Sequence, residues 1–216
     1  MITFTRNEKR DLIIAFIVLT LSFAISNAKS DIHTFISVLP IVMVGVAMGS
    51  LVHELGHKFV AMKYGYRAEF KAWPLGLLIT FASAFIGIVF AFPGSSQTYA
   101  DNISDEINGK IGIAGPMANI VLALISIAVA ALMLPLKSYS IIFTLTYLIA
   151  TIGFSVNSFL ATFNLLPFYT LDGVKVLKWN AKIWIVIFAI AAIMLLMSIS
   201  VGAENMVQLI IEGKVI

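Results

Sequence analysis

The sequence predicts an all-α polytopic membrane protein of about five to six transmembrane helices, with a re-entrant or β-hairpin segment near residues 73–92. Three observations carry that prediction. The 216 residues are 60% hydrophobic and only 12% charged, with a mean hydropathy of +1.01. Soluble domains carry about a quarter charged residues, so this chain has too few polar side chains to face water on all sides. The same composition excludes a disordered chain, which would be poor in aliphatic and aromatic residues. Second, five or six stretches approach the roughly 20 apolar residues that a helix needs to cross a bilayer. Third, Lys and Arg cluster beside particular stretches, as they do where loops stay in the cytoplasm. Cysteine is absent, which removes disulfides, thiolate metal sites and a cysteine nucleophile. The net charge of +3 is too small to imply a nucleic-acid partner.

The elements follow in order. The first span runs from about Leu12 to Ala28, behind Arg6, Lys9 and Arg10. A signal peptide has a similar layout, here with small residues at Ser26-Asn27-Ala28, but a shorter apolar core. Either way the chain emerges outside. The second helix runs from about Phe35 to Tyr64, and roughly 30 residues at about 1.5 Å each give some 45 Å. Residues 73–92 are apolar but hold Pro74, Gly76 and Gly87 and are closed by Pro93-Gly94. Residues 95–110 are polar, with Asp101, Asp105 and Glu106, and read as a loop. Apolar segments follow at about Ile111–Leu134, Ser138–Leu166 and Ile183–Val201. With no internal repeat, low-complexity tract or appended soluble domain, residues 1–216 read as one transmembrane domain.

The chain has three histidines, His33, His53 and His57. Two lie in the run His53-Glu54-Leu55-Gly56-His57. Residues i and i+4 share a helix face, so both imidazoles are able to grip one ion, while Glu54 points elsewhere and is free to act as a base. A chance match to this pattern is expected about 0.001 times in such a chain. A polar group satisfied by a neighbour is the bland alternative, but ionisable groups at membrane depth are costly, and three sit within this run. His33 lies roughly 30 Å from His53 at helical rise, too far to share an ion, and reads as interfacial. A hydrolytic zinc site uses three protein ligands and one open position. Without a third histidine in reach, the third ligand must be a carboxylate. Asp172 stands out, near the end of Asn164-Leu165-Leu166-Pro167-Phe168-Tyr169-Thr170-Leu171-Asp172-Gly173, although taken alone an ordinary Asp-Gly turn at the membrane surface is the better explanation.

Three blocks together, His53-Glu54-Leu55-Gly56-His57, Gly115-Pro116-Met117-Ala118-Asn119 and Asn164…Pro167…Asp172-Gly173, resemble the site-2 protease family of intramembrane zinc metalloproteases. The resemblance covers residues from about 45 to 178; the first and third blocks are specific in combination and the middle one is weak alone. It implies one zinc ion per chain on His53, His57 and Asp172, with Glu54 as catalytic base. Unlike many relatives, the sequence carries no PDZ or paired regulatory CBS domain.

A topological requirement bears on Asp172. If residues 73–92 crossed the membrane, the two spans that follow would carry Asp172 to the face opposite the histidines. The segment is therefore expected to enter and return. Irregular backbone is tolerated at that depth only where protein or a water-filled cavity covers it. With a non-spanning segment, Arg6, Lys9, Arg10, Lys58, Lys63, Arg67, Lys71, Lys110, Lys175, Lys178 and Lys182 share one side, against Lys29, Lys137 and Lys214. That bias places the site toward the cytoplasmic face and gives five crossings with an external C-terminus.

The expected activity is hydrolysis of peptide bonds in or near transmembrane segments of membrane-protein substrates, inside the lipid bilayer. Asn119 and Asn164 are candidates to hold the substrate backbone or the oxyanion, with interhelical hydrogen bonding as the structural alternative. Gly45 and Gly49 make a small-residue face suited to close helix packing. Residues 73–92 are expected to offer a sheet edge to an extended substrate strand. A divalent-metal transporter and a catalytically inactive homologue are the rival readings, and Glu54 discriminates among them.

Overall fold

The computed structural model describes residues 4–100, 102–168 and 171–213; Asp101, Tyr169, Thr170 and Lys214 lie outside them. The chain is mostly helical, and the helices are long because apolar runs are bounded by real caps. α1 (Arg6–Ala28) opens on a capping box in which Thr5 and Glu8 each bond the other's backbone N–H, so it starts before its apolar run. α2 (Ile32–Lys63) is capped by Asp31, whose carboxylate accepts the Thr34 N–H. Lys29 and Ser30 turn the chain between them at φ 47° and 72°, a left-handed pair without glycine.

The expected non-spanning segment is present, and its architecture is specific. β1 (Arg67–Ala72) and β2 (Gly94–Tyr99) pair antiparallel, with Arg67 opposite Tyr99 and Ala72 opposite Gly94. Between them lies α3 (Pro74–Ala84), whose 11 residues span only about 16 Å, half a bilayer core. The chain turns at Gly87 (φ +80°) and comes back irregularly. Side chains of α3 satisfy part of the returning backbone, as irregular structure at that depth requires. Phe90 N–H donates to Ser83 Oγ and Phe92 N–H to Thr80 Oγ1, both at 2.9 Å, and Trp73 N–H donates to Pro93 O at 3.0 Å, closing the neck. The strands thus flank residues 73–92, and part of the stretch read as a polar loop is β2.

α4 (Asp105–Met133) also begins inside that stretch, because Ser104 caps it and Asp105 and Glu106 suit its first turn. A 3₁₀ turn (Leu134–Leu136) leads to α5 (Ile141–Asn164), the short α6 (Asp172–Trp179), α7 (Ala181–Ser200) and α8 (Ala203–Glu212). Five helices are long and apolar enough to cross a membrane: α1, α2, α4, α5 and α7. Two apolar clusters flank the polar centre. One joins α1, α2 and α5 to the re-entrant return through Leu19, Val46, Val89 and Leu160; the other joins α4, α5, α6 and α7 through Ile120, Phe154, Val176 and Met194. The outer face of α7 meets no partner among the described residues, with Ile185, Ile193, Leu196 and Ile199 all more than half exposed. A surface of that kind suits lipid and not water.

Candidate metal centre

His53 and His57 project from one face of α2 toward α4, and the two helices approach closely because each offers a glycine there. A Cβ on Gly56 would lie 2.8 Å from Ala114 O. One on Gly115 would lie 2.4 Å from His57 Nε2 and 2.6 Å from His53 Nε2, so any side chain at 115 would invade the imidazole pair. Asp172 arrives from the far end of the sequence as the first residue of α6. Gly173 permits the tight approach of α6 to the end of α5, since a Cβ there would sit 2.1 Å from Leu165 O. Two crossings, α4 and α5, separate the His end of α2 from Asp172, and an even number returns the chain to the same side.

All three side chains are buried. Asp172 Oδ2 lies 2.9 Å from His57 Nε2 and 3.2 Å from His53 Nε2, and the two Nε2 atoms are 3.0 Å apart. The opposite ring nitrogens fix the tautomers. His57 Nδ1 lies 2.7 Å from Ile111 O, which only accepts, so Nδ1 carries the proton. His53 Nδ1 lies 2.6 Å from Asn119 Oδ1. The Asn119 amide cannot be turned round, because its Nδ2 donates to Gly49 O at 3.0 Å and to Asn157 Oδ1 at 2.9 Å. Asn157 is held in turn by donating to Gly153 O at 2.9 Å. In the neutral imidazoles this leaves both Nε2 atoms with lone pairs that face each other and a carboxylate oxygen. Three acceptors converging in a buried space repel one another unless a cation sits among them. A tetrahedral zinc with bonds near 2.0–2.1 Å spaces its ligand atoms by roughly 3.3 Å, close to the spacing found. The donor set fits a zinc ion.

Glu54 lines the same cleft, with Ser95, Ser96, Asn164 and Leu171, and its Oε2 accepts a hydrogen bond from Ser96 Oγ. Of the two asparagines singled out by sequence, Asn164 reaches the cleft while donating to Leu160 O at 2.9 Å. Asn119 does not line it; it stands fully buried behind His53 with both amide hydrogens committed. His33 is exposed on the first turn of α2, at the other end of the helix from the pair. Two further residues, Ser96 and Lys175, join the site without a local motif to mark them as part of it. Lys175 Nζ donates to Asp172 Oδ1 at 3.0 Å, leaving Oδ2 toward the histidines. Only the i+3 spacing of Lys175 from Asp172 hinted at it.

The two edges of the small sheet differ. Phe70 N–H donates to Glu8 Oε1 at 3.3 Å and Ala72 N–H to Asp11 Oδ2 at 3.2 Å, so the outer edge of β1 is closed by carboxylates of α1. Glu8 also binds Lys58 Nζ, at 2.8 and 2.6 Å, in a buried pair one residue beyond His57. Since Phe70 and Ala72 point outward, their partners Ser96 and Gly94 also point away from β1, on the free edge of β2. That edge faces the cleft.

Residues 41–151 match the family model described as peptidase family M50. A protein of Methanocaldococcus jannaschii provisionally named a zinc metalloprotease is 40% identical over 185 residues, covering 85% of this chain and 90% of that protein. A second protein of that organism, named a zinc metalloprotease, is 27% identical over 129 residues, 59% of this chain and 30% of the relative. No solved structure matches the chain significantly. The family match, the long relative and the five apolar helices agree with the three sequence blocks: this integral membrane protein belongs to peptidase family M50, the site-2 protease family.

Proposed function

We propose that the protein is a zinc-dependent intramembrane endopeptidase acting on membrane-protein substrates in or near their transmembrane segments, with one zinc per chain on His53, His57 and Asp172 and with Glu54 as base. The observation that carries this reading is the convergence of three lone-pair donors, 2.9–3.2 Å apart, beside Glu54 in one cleft. The names of the two relatives support zinc as the ion.

Zinc, when bound, supplies Lewis acidity toward a peptide carbonyl and toward water. The remaining work falls to the chain. Asn119 and Ile111 O hold the imidazoles with Nε2 inward, the orienting role that carbonyl and carboxylate partners play around zinc. Asn119 is then a positioning residue. Ser96 Oγ turns the Glu54 carboxylate into the cleft. Glu54 takes a proton from the attacking water and delivers it to the leaving amine nitrogen. That Asn164 lines the cleft supports its contact with the substrate backbone. His57 lies roughly 10 Å before the end of α2, so the reaction occurs within the membrane boundary, toward the cytoplasmic face by the Lys and Arg bias.

A substrate helix hides its peptide bonds and must become extended before attack. The free edge of β2 supports strand addition, since Ser96 and Thr98 aim their N–H and C=O groups away from β1, Ser96 at the cleft and Thr98 in the hollow that adjoins it. The receiving edge is thus at 94–99 and not within 73–92.

Substituting Glu54→Gln in the full chain tests the reading. Cleavage of a membrane-protein substrate should fall by about 10²–10⁴-fold, while zinc content stays at that of the wild type. Unchanged cleavage would overturn it, as would a wild type that moves metal across vesicles and yields no peptide product.

A further inference from the structure

On the free edge of β2 one acceptor is already taken. Lys175 Nζ, which donates to Asp172 Oδ1 at 3.0 Å, also lies 3.4 Å from Ser96 O, the outward carbonyl of the central residue of the strand. The Ser96 and Thr98 N–H groups on the same edge have no partner among the described residues. The reach of Lys175 is built in. A Cβ at Gly112 would lie 2.9 Å from Lys175 Cβ, so α4 leaves room for the stem, and the side chain is 21% exposed against 5% for Asp172. An exposed i,i+3 ion pair would count for little. This one joins a buried carboxylate to the backbone of a strand 79 residues away in sequence.

We propose that Lys175 is a positioning residue that latches the substrate edge to the metal-ligating aspartate: it covers the Ser96 carbonyl while the cleft is empty, and an incoming extended strand displaces it from Ser96 but not from Asp172. The substrate strand's own N–H then takes the Ser96 carbonyl, and the ammonium keeps Asp172 oriented by Oδ1. One cation thereby links occupation of the sheet edge to the geometry of the carboxylate. The inference deepens the metallopeptidase reading and rests on it.

The test uses the full-length chain in detergent as wild type, Lys175→Met and Lys175→Arg, with thermal melting of each to verify folding. Zinc affinity is measured by chelator competition on metal-depleted protein. The edge is probed with a tetrapeptide hydroxamate, which carries an extended backbone, against acetohydroxamate, which contacts the metal alone. Lys175→Met should weaken zinc binding by about 10–100-fold, the usual effect of losing a partner of a metal ligand. In zinc-saturated protein the same variant should favour the peptide hydroxamate over acetohydroxamate by about two- to tenfold more than wild type, because a free carbonyl replaces a covered one. Lys175→Arg should restore both values. If either value in Lys175→Met stays at the wild-type level, the latch is overturned. A wild type that binds neither zinc nor acetohydroxamate would instead remove the metallopeptidase reading beneath it.

Discussion

The centre has two unlike halves. On the histidine side, every polar atom that does not face the ion position is spent on a fixed protein partner: Ile111 O, Asn119, and behind Asn119 the Gly49 carbonyl and Asn157. On the carboxylate side, Asp172 and Glu54 are met by Lys175 and Ser96, one partly exposed and the other on a strand with a free edge. The first half is built on two long helices packed through glycines; the second on an eight-residue helix and a six-residue strand. The difference assigns labour. Under the proposed activity, preorganisation belongs to the half away from the substrate, and adjustable contacts belong where a substrate strand would enter.

This contrast is open to breakage, beginning with the largest effect. Gly115→Val puts branched carbons where the imidazole nitrogens lie, so zinc content should fall to background while circular dichroism keeps its helical signal; a variant that retains stoichiometric zinc would show that the histidine half is not tightly built. Glu8→Ala strands Lys58 in a buried site and frees the Phe70 N–H, and breaking such a pair costs about 3–5 kcal/mol. Its melting midpoint should drop well below that of wild type, and an unshifted midpoint would show that the anchoring of α1 to α2 and β1 is superficial. Asn119→Leu leaves His53 Nδ1–H without its acceptor, and zinc affinity by chelator competition should fall about 10–100-fold. Equal affinity would mean that the tautomer is not set from behind. Ser96→Ala removes one hydrogen bond on the adjustable side, and kcat should change by only about two- to tenfold with zinc binding unaltered. A loss as deep as that of Glu54→Gln would move Ser96 from orienting to reacting.

How much of this was legible beforehand depended on the range of each interaction. The paired histidines and Glu54 are a local pattern, set by helical spacing alone, and they sit on α2 as read. Asp172 was legible as the carboxylate that ends the Asn164…Pro167…Asp172-Gly173 block of the family resemblance, and bringing it to the side of the histidines required that the proline- and glycine-interrupted segment not span. The strands were hidden: Gly94–Tyr99 is polar throughout, with Ser96 its buried residue, so it lacks the apolar alternation of a half-buried strand. The start of α4 is signalled by Ser104 before two acids, a cap masked by the polarity of the stretch around it. Lys175 and Asn119 act through partners 79 and 66 residues away, and no local pattern encodes such pairings. The short α6 and α8 lacked the length that distinguishes a span.

The most direct measurement is anomalous diffraction at the zinc edge from crystals of the full chain purified with zinc. One peak per chain, within bonding distance of His53 Nε2, His57 Nε2 and Asp172 Oδ2, is the predicted result. A zinc-replete crystal with no peak among those atoms, or with its ion bound elsewhere, would contradict the account at its centre.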